Sequence, residues 1–192
     1  VAVIQPFVLV IGAVVSTIYI LWEGYENRQL KLLPAIYFIA GGGVFLLYQY
    51  WVILTDPVLS IWNAQNITSA PPLWDVLVSF SPALIGSVLE IGYLIKFKQL
   101  GKYKLFVIWL IAGIVLLYFP FNLQRRFLLG YFVPCAFLAA AAVFRVAEEK
   151  IKLRKNLGAM LILLSVITNI FVLLGGINGT SNHLPLLEIH AD

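Results

Sequence analysis

Residues 105–146 read LFVIWLIAGIVLLYFPF, then NLQRR, then FLLGYFVPCAFLAAAAVFRV. Two apolar runs, 105–121 and 127–146, are separated only by Asn122-Leu123-Gln124-Arg125-Arg126. Crossing a bilayer core takes roughly 20 apolar residues per helix, and both runs are of that order, the first being the shorter. A barrel strand would run about ten residues and alternate polar with apolar; neither run alternates. The stretch predicts two membrane-spanning helices joined by a tight, doubly cationic turn.

Working outward, four further runs of this kind occupy 1–22, 32–54, 73–95 and 157–177. The expected fold is all-α, a polytopic membrane bundle of six transmembrane helices over residues 1–177. A polar segment begins at 178–192. A charged fraction of 11% and a mean hydropathy of +0.95 exclude an ordinary soluble domain, which is about 25% charged. The only methionine is Met160 and the chain opens inside an apolar run, so it is expected to be the later part of a larger membrane protein. Cys135 is the single cysteine, which excludes an internal disulfide.

Of the 13 Lys and Arg residues, all but Arg125 and Arg126 fall in three alternate connections, 23–31, 96–104 and 145–156. The positive-inside rule makes those connections cytoplasmic and puts both ends of the six-helix block outside. The net charge of +4 is therefore a topology signal whose partner is anionic membrane lipid, and no nucleic acid is expected. Arg125-Arg126 stands on the outer side against this bias, which points to an anion. With Asn122 as N-cap of the fifth helix, both arginines would fall in its first turn, where free N–H groups and the dipole suit phosphate. Cations are disfavoured at that helix end, so helix stability does not choose them. Successive residues point about 100° apart, so one arginine at most faces a ligand while the other braces a loop or reaches headgroups.

The outer connection 55–75 is the longest between spans. Pro57 opens a stretch able to form a short interfacial helix, with Trp62 between Trp51 and Trp74 at headgroup depth, and Pro71-Pro72 stiffens entry to the third span. Asp56 and Asp75 flank this loop as caps or loop anchors, or as a base or metal ligand. Asn66-Ile67-Thr68 and Asn178-Gly179-Thr180 match the glycosylation sequon on the expected outer side. Gly41-Gly42-Gly43 permits close packing or a helix break, and Ala139–Ala142 offers a small-residue packing face. Glu90, the acidic residue well inside a span, is expected to snorkel or pair near the interface. Asn169, Ser165 and Thr168 suit interhelical hydrogen bonds. His183, Glu188, His190 and Asp192 match no compact metal motif.

Two stretches carry a resemblance: Asn63-Ala64-Gln65-Asn66 with Pro71-Pro72-Leu73-Trp74-Asp75, and Tyr118-Phe119-Pro120-Phe121-Asn122-Leu123-Gln124-Arg125-Arg126-Phe127. Together they resemble the later membrane half of bacterial multispanning proteins similar to GT-C glycosyltransferases. The resemblance implies transfer of a sugar from a polyprenyl-phosphate donor at the outer leaflet of a bacterial plasma membrane. Arg125 or Arg126 would contact the donor phosphate, with Gln124 and Asn122 beside it. Asp56, Trp62, Asn63, Asn66, Trp74 and Asp75 would belong to a loop covering the substrate. The family's acidic signature lies in an earlier external loop, so the base and any divalent metal cofactor would depend on residues outside this fragment. The alternatives are a membrane transporter or lipid flippase, for which Gly41–Gly43 supplies a candidate break, and a non-catalytic scaffold anchored on headgroups.

Overall fold

The computed structural model describes residues 6–30, 32–65, 67–120, 123–148 and 150–181. Among them the chain is predominantly helical, with no strand beyond one isolated bridge, and several apolar helices are long enough to cross a membrane. The expected sequon and cap residues Asn66 and Asn122, and the tail from 182, lie outside the described residues. The helices are α1 (Pro6–Asn27), α2 (Leu33–Phe38), α3 (Val44–Thr55), α4 (Pro57–Gln65), α5 (Leu73–Phe80), α6 (Ala83–Lys96), α7 (Lys104–Leu117), α8 (Phe132–Val146) and α9 (Ile151–Ser181).

Phe7–Asn27, Leu33–Thr55, Leu100–Leu117 and Gln124–Val146 are long and apolar enough to span. The expected sixth run, 157–177, lies within the 31 residues of α9. Exposed side chains such as Leu47, Tyr37 and Phe171 give these helices an apolar exterior, far beyond the patches a water-soluble monomer shows.

The second span is continuous through its glycines: α2 and α3 join across a π turn, Ile39–Gly43. A Cβ on Gly42 would stand 2.9 Å from Leu9 Cδ2, whereas one on Gly41 would meet open space. One glycine of the three thus admits α1 closely, and there is no break.

The third span departs from the straight helix expected over 73–95. α5 and α6 meet at 91° across Ser81-Pro82. Pro82 has no N–H to donate and biases Ser81 toward extended backbone, and Ser81 has ψ 148°. α6 alone has 14 residues, about 21 Å at 1.5 Å per residue.

The fifth helix also begins later than residue 127. Gln124–Leu128 forms a 3-10 turn, and Gly130 follows with φ +75°, a conformation glycine takes without steric penalty. α8 then starts at Phe132, with Pro134 in its first turn, where a missing N–H is harmless.

The core is built on two helix pairs. α6 lies against α8 through small groups: a Cβ on Gly86 would be 2.8 Å from Ala139 Cβ. Buried Ser87 donates its hydroxyl to the carbonyls of Ala83 (2.8 Å) and Cys135 (2.7 Å). Ala139 and Ala142 are buried while Ala140 is exposed, so the alanine run presents one face to the bundle, as small residues at membrane helix contacts do. α1 pairs with α7, where Ile11 and Val15 meet Ile108, Ala112 and Leu116. Lys104 at the start of α7 bonds Glu23 and Glu26 near the end of α1, and Phe127 beyond α7 stacks edge-on against Phe7 at 5.4 Å. The two helices are therefore antiparallel. The bundle has one Lys/Arg-rich end and one end carrying segment 67–72 and the Arg125-Arg126 turn.

Candidate functional site

The Arg125-Arg126 turn is built by docking two connections that lie far apart in sequence. Thr68 and Leu123 form a short parallel bridge. The Ala70 N–H donates to Gln124 Oε1 at 2.7 Å, and Gln124 Nε2 donates to the Phe119 carbonyl at 2.8 Å. Tyr118 Oη donates to the Pro71 carbonyl at 3.0 Å. Both ends of the Gln124 amide are thus committed to backbone, making this side chain the pin between the loops. The backbone N–H of Arg125 reaches the Thr68 carbonyl at 3.4 Å, and Arg125 Nε donates to the Ser69 carbonyl at 3.0 Å.

Arg126 points elsewhere. In a 3-10 turn successive side chains diverge by about 120°, so the two guanidiniums leave on different faces. That of Arg126 lies over the Phe7 ring at 5.6 Å, a cation–π arrangement. Phe7, the ring under Arg126, also lines a 600 Å³ apolar cavity with Tyr50, Asn63, Pro120 and Leu123. No carboxylate lies within ion-pair distance of either arginine among the described residues. Arg125 thus braces the 67–72 segment while Arg126 rests on an aromatic ring. The helix-dipole argument does not hold, because the pair stands in the 3-10 turn and not in the first turn of α8.

The remaining expected site residues are distributed around this end. Asp56 caps α4: its Oδ1 accepts from the backbone N–H groups of Val58 (2.8 Å) and Leu59 (3.1 Å), the usual use of an Asp before a helix. Asp75 sits in the first turn of α5, where Ser79 Oγ donates to it at 3.4 Å. Trp62 on α4 and Trp74 on α5 are exposed. Asn63 faces the cavity; Asn66 and Asn122 are outside the described residues. The structure therefore brings Gln124, Arg125, Arg126 and Asn63 to one neighbourhood, while both aspartates serve their own helices. Sequence reasoning missed Phe7 and Tyr118. No local signal marks either, because each acts across more than 40 residues of chain.

At the opposite end, Lys104 is buried and holds Glu23 at 2.9 Å and Glu26, while Trp22 Nε1 donates to Glu26 at 2.7 Å. Glu90 is buried and accepts from Arg145 Nε at 2.8 Å. Among the described residues no group of three potential ligands could hold a metal ion. Comparison of the chain with protein-family models, with curated proteins and with solved structures finds no match.

Proposed function

We propose that the chain is a membrane-embedded part of a GT-C-like glycosyltransferase that takes a sugar from a polyprenyl-phosphate donor at the outer leaflet of a bacterial plasma membrane. The observation that carries this reading is Arg126, a guanidinium with no acidic partner among the described residues, lying over the Phe7 ring that lines a 600 Å³ apolar cavity. A prenyl chain would occupy the cavity and its phosphate would meet Arg126. Arg125, through Ser69, and Gln124, through Ala70, would hold the turn in place. Arg126 would stabilise the negative charge that grows on the lipid phosphate as the sugar leaves, an effect that is large in a water-poor site. In this reading neither Asp56 nor Asp75 is the base that accepts the acceptor's proton, since both are engaged at helix starts.

Transport or lipid flipping is the second reading, and the 91° bend between α5 and α6 favours it, since broken helices recur in transporters. Among the described residues no polar path through the bundle accompanies the bend. The buried polar side chains among the described residues are Ser87, Glu90 and Lys104, and the latter two are consumed in ion pairs.

The test is transfer of radiolabel from a polyprenyl-phosphate sugar by the full-length protein in proteoliposomes. Arg126→Ala is expected to reduce transfer at least about tenfold, the loss expected for a charge-assisted hydrogen bond. Transfer unchanged by this substitution would remove Arg126 from the reaction.

A further inference from the structure

Independently of the Arg125-Arg126 turn, the Lys/Arg-rich end of the bundle contains a second built cleft. It measures 440 Å³, lies between α6, α8, the start of α9 and the connection before α7, and is walled by Glu90, Lys102, Arg145, Glu148 and Arg154. Three cations from three separate elements converge here, each lying over a ring: Arg145 over Tyr93 (3.8 Å), Arg154 over Phe144 (5.0 Å) and Lys102 over Tyr103 (5.2 Å). Glu90, 2% exposed, takes Arg145 by its Nε. That contact takes the guanidinium by its Nε alone while Arg145 lines the cleft, an arrangement suited to an oxyanion.

The cleft continues into apolar grooves. Phe144 and Arg154 also line a 520 Å³ groove between α8 and α9 that runs along Gly158, Leu161 and Ser165. Arg145 likewise borders a 520 Å³ groove on the other side of α9, reaching Leu89 and Met160. A charged cleft that shares walls with apolar grooves has the chemistry of a headgroup and its chains. Basic pockets between membrane helices are where anionic headgroups bind.

We propose that this cleft is a binding site for an anionic phospholipid, its phosphate held by Arg145, Arg154 and Lys102 and an acyl chain lying in the α8–α9 groove. A free phosphate shares the headgroup chemistry but would not use the groove. Gly158 separates the two sources, because a Cβ there meets open space and a large side chain would fill the groove while removing no cation.

The experiment counts lipid retained by the full chain, by native mass spectrometry after extraction from nanodiscs of phosphatidylglycerol mixed with phosphatidylcholine. Inorganic phosphate is added as competitor in a parallel arm. Wild type should retain phosphatidylglycerol selectively. Lys102→Gln with Arg154→Gln should lower that retention by about tenfold or more, the loss expected when charge-assisted contacts to the phosphate are removed. Lys152→Gln with Lys155→Gln removes the same charge from exposed positions of α9 outside the cleft and should change retention less than about twofold. Gly158→Trp should weaken lipid retention while all the cations remain. Equal losses in the two double variants would overturn the proposal in favour of diffuse surface attraction. Displacement of the lipid by millimolar inorganic phosphate, with Gly158→Trp inert, would overturn it in favour of a bare phosphate site. All four cation substitutions lie on exposed or half-buried side chains, so loss of folding does not confound the comparison.

Discussion

Glu90 and Arg145 show how burial sets the consequence of losing a charge. The Glu90 side chain is 2% exposed and that of Arg145 is 27% exposed, so the two partners are not equivalent. Arg145→Gln strands a carboxylate inside the bundle, and breaking a buried pair in this way costs about 3–5 kcal/mol. Glu90→Gln leaves a guanidinium that still rests on Tyr93 and reaches the cleft, so its loss should be clearly smaller. Thermal unfolding in detergent checks this order, and equal losses would contradict the asymmetry. At the other end, Gln124→Leu leaves the half-buried Ala70 N–H without its acceptor and should cost about 1–3 kcal/mol, read in the same assay. Pairing of Glu90 was foreseeable from a lone acid inside an apolar run; its partner was not, being 55 residues away. Gln124 read as a phosphate neighbour because a sequence gives residue type and not which backbone groups the amide finds. The same blindness hid Phe7, whose ring sorts Arg126 from Arg125.

Helices were the legible elements and their interruptions were not. Apolar runs near 20 residues long gave the course of the long helices, since length and hydropathy are local properties. The bend at Ser81-Pro82 was hidden because 73–95 is as apolar as an unbroken span. The late start of α8 turns on Gly130, whose positive φ is invisible in a run that already contains Tyr131 and Pro134. Gly113 illustrates a close approach that sequence could not assign: a Cβ there would stand 2.5 Å from Tyr131 Cδ2. Tyr131 is buried, its hydroxyl unpaired among the described residues, and its ring packs edge-on against Phe80 at 5.0 Å. Gly113→Ala should therefore destabilise the bundle by about 1–3 kcal/mol through overpacking. Tyr131→Phe keeps the ring and removes an unsatisfied hydroxyl, so it should be neutral or stabilising. A large loss from Tyr131→Phe in detergent unfolding would reveal a partner for that hydroxyl.

At the scale of the molecule, charge divides the bundle into two ends with different chemistry. Lys104, Arg145 and Arg154 gather at one, each engaged with a carboxylate or an aromatic ring. Arg125 and Arg126 occupy the other, with no acidic partner among the described residues. If the positive-inside reading holds, Ser69→Cys should react with a membrane-impermeant maleimide in intact cells while Lys152→Cys reacts only after permeabilisation. Cys135 is buried and should contribute little background. Labelling of both positions from one side would contradict the topology. The central claim, that Arg126 holds a lipid phosphate beside the apolar cavity, is tested most directly by titrating nanodisc-embedded protein with polyprenyl phosphate and with the uncharged polyprenol. Arg126→Ala should weaken polyprenyl-phosphate binding about tenfold or more and leave polyprenol binding unchanged. Equal affinity of wild type and Arg126→Ala for polyprenyl phosphate would contradict the account.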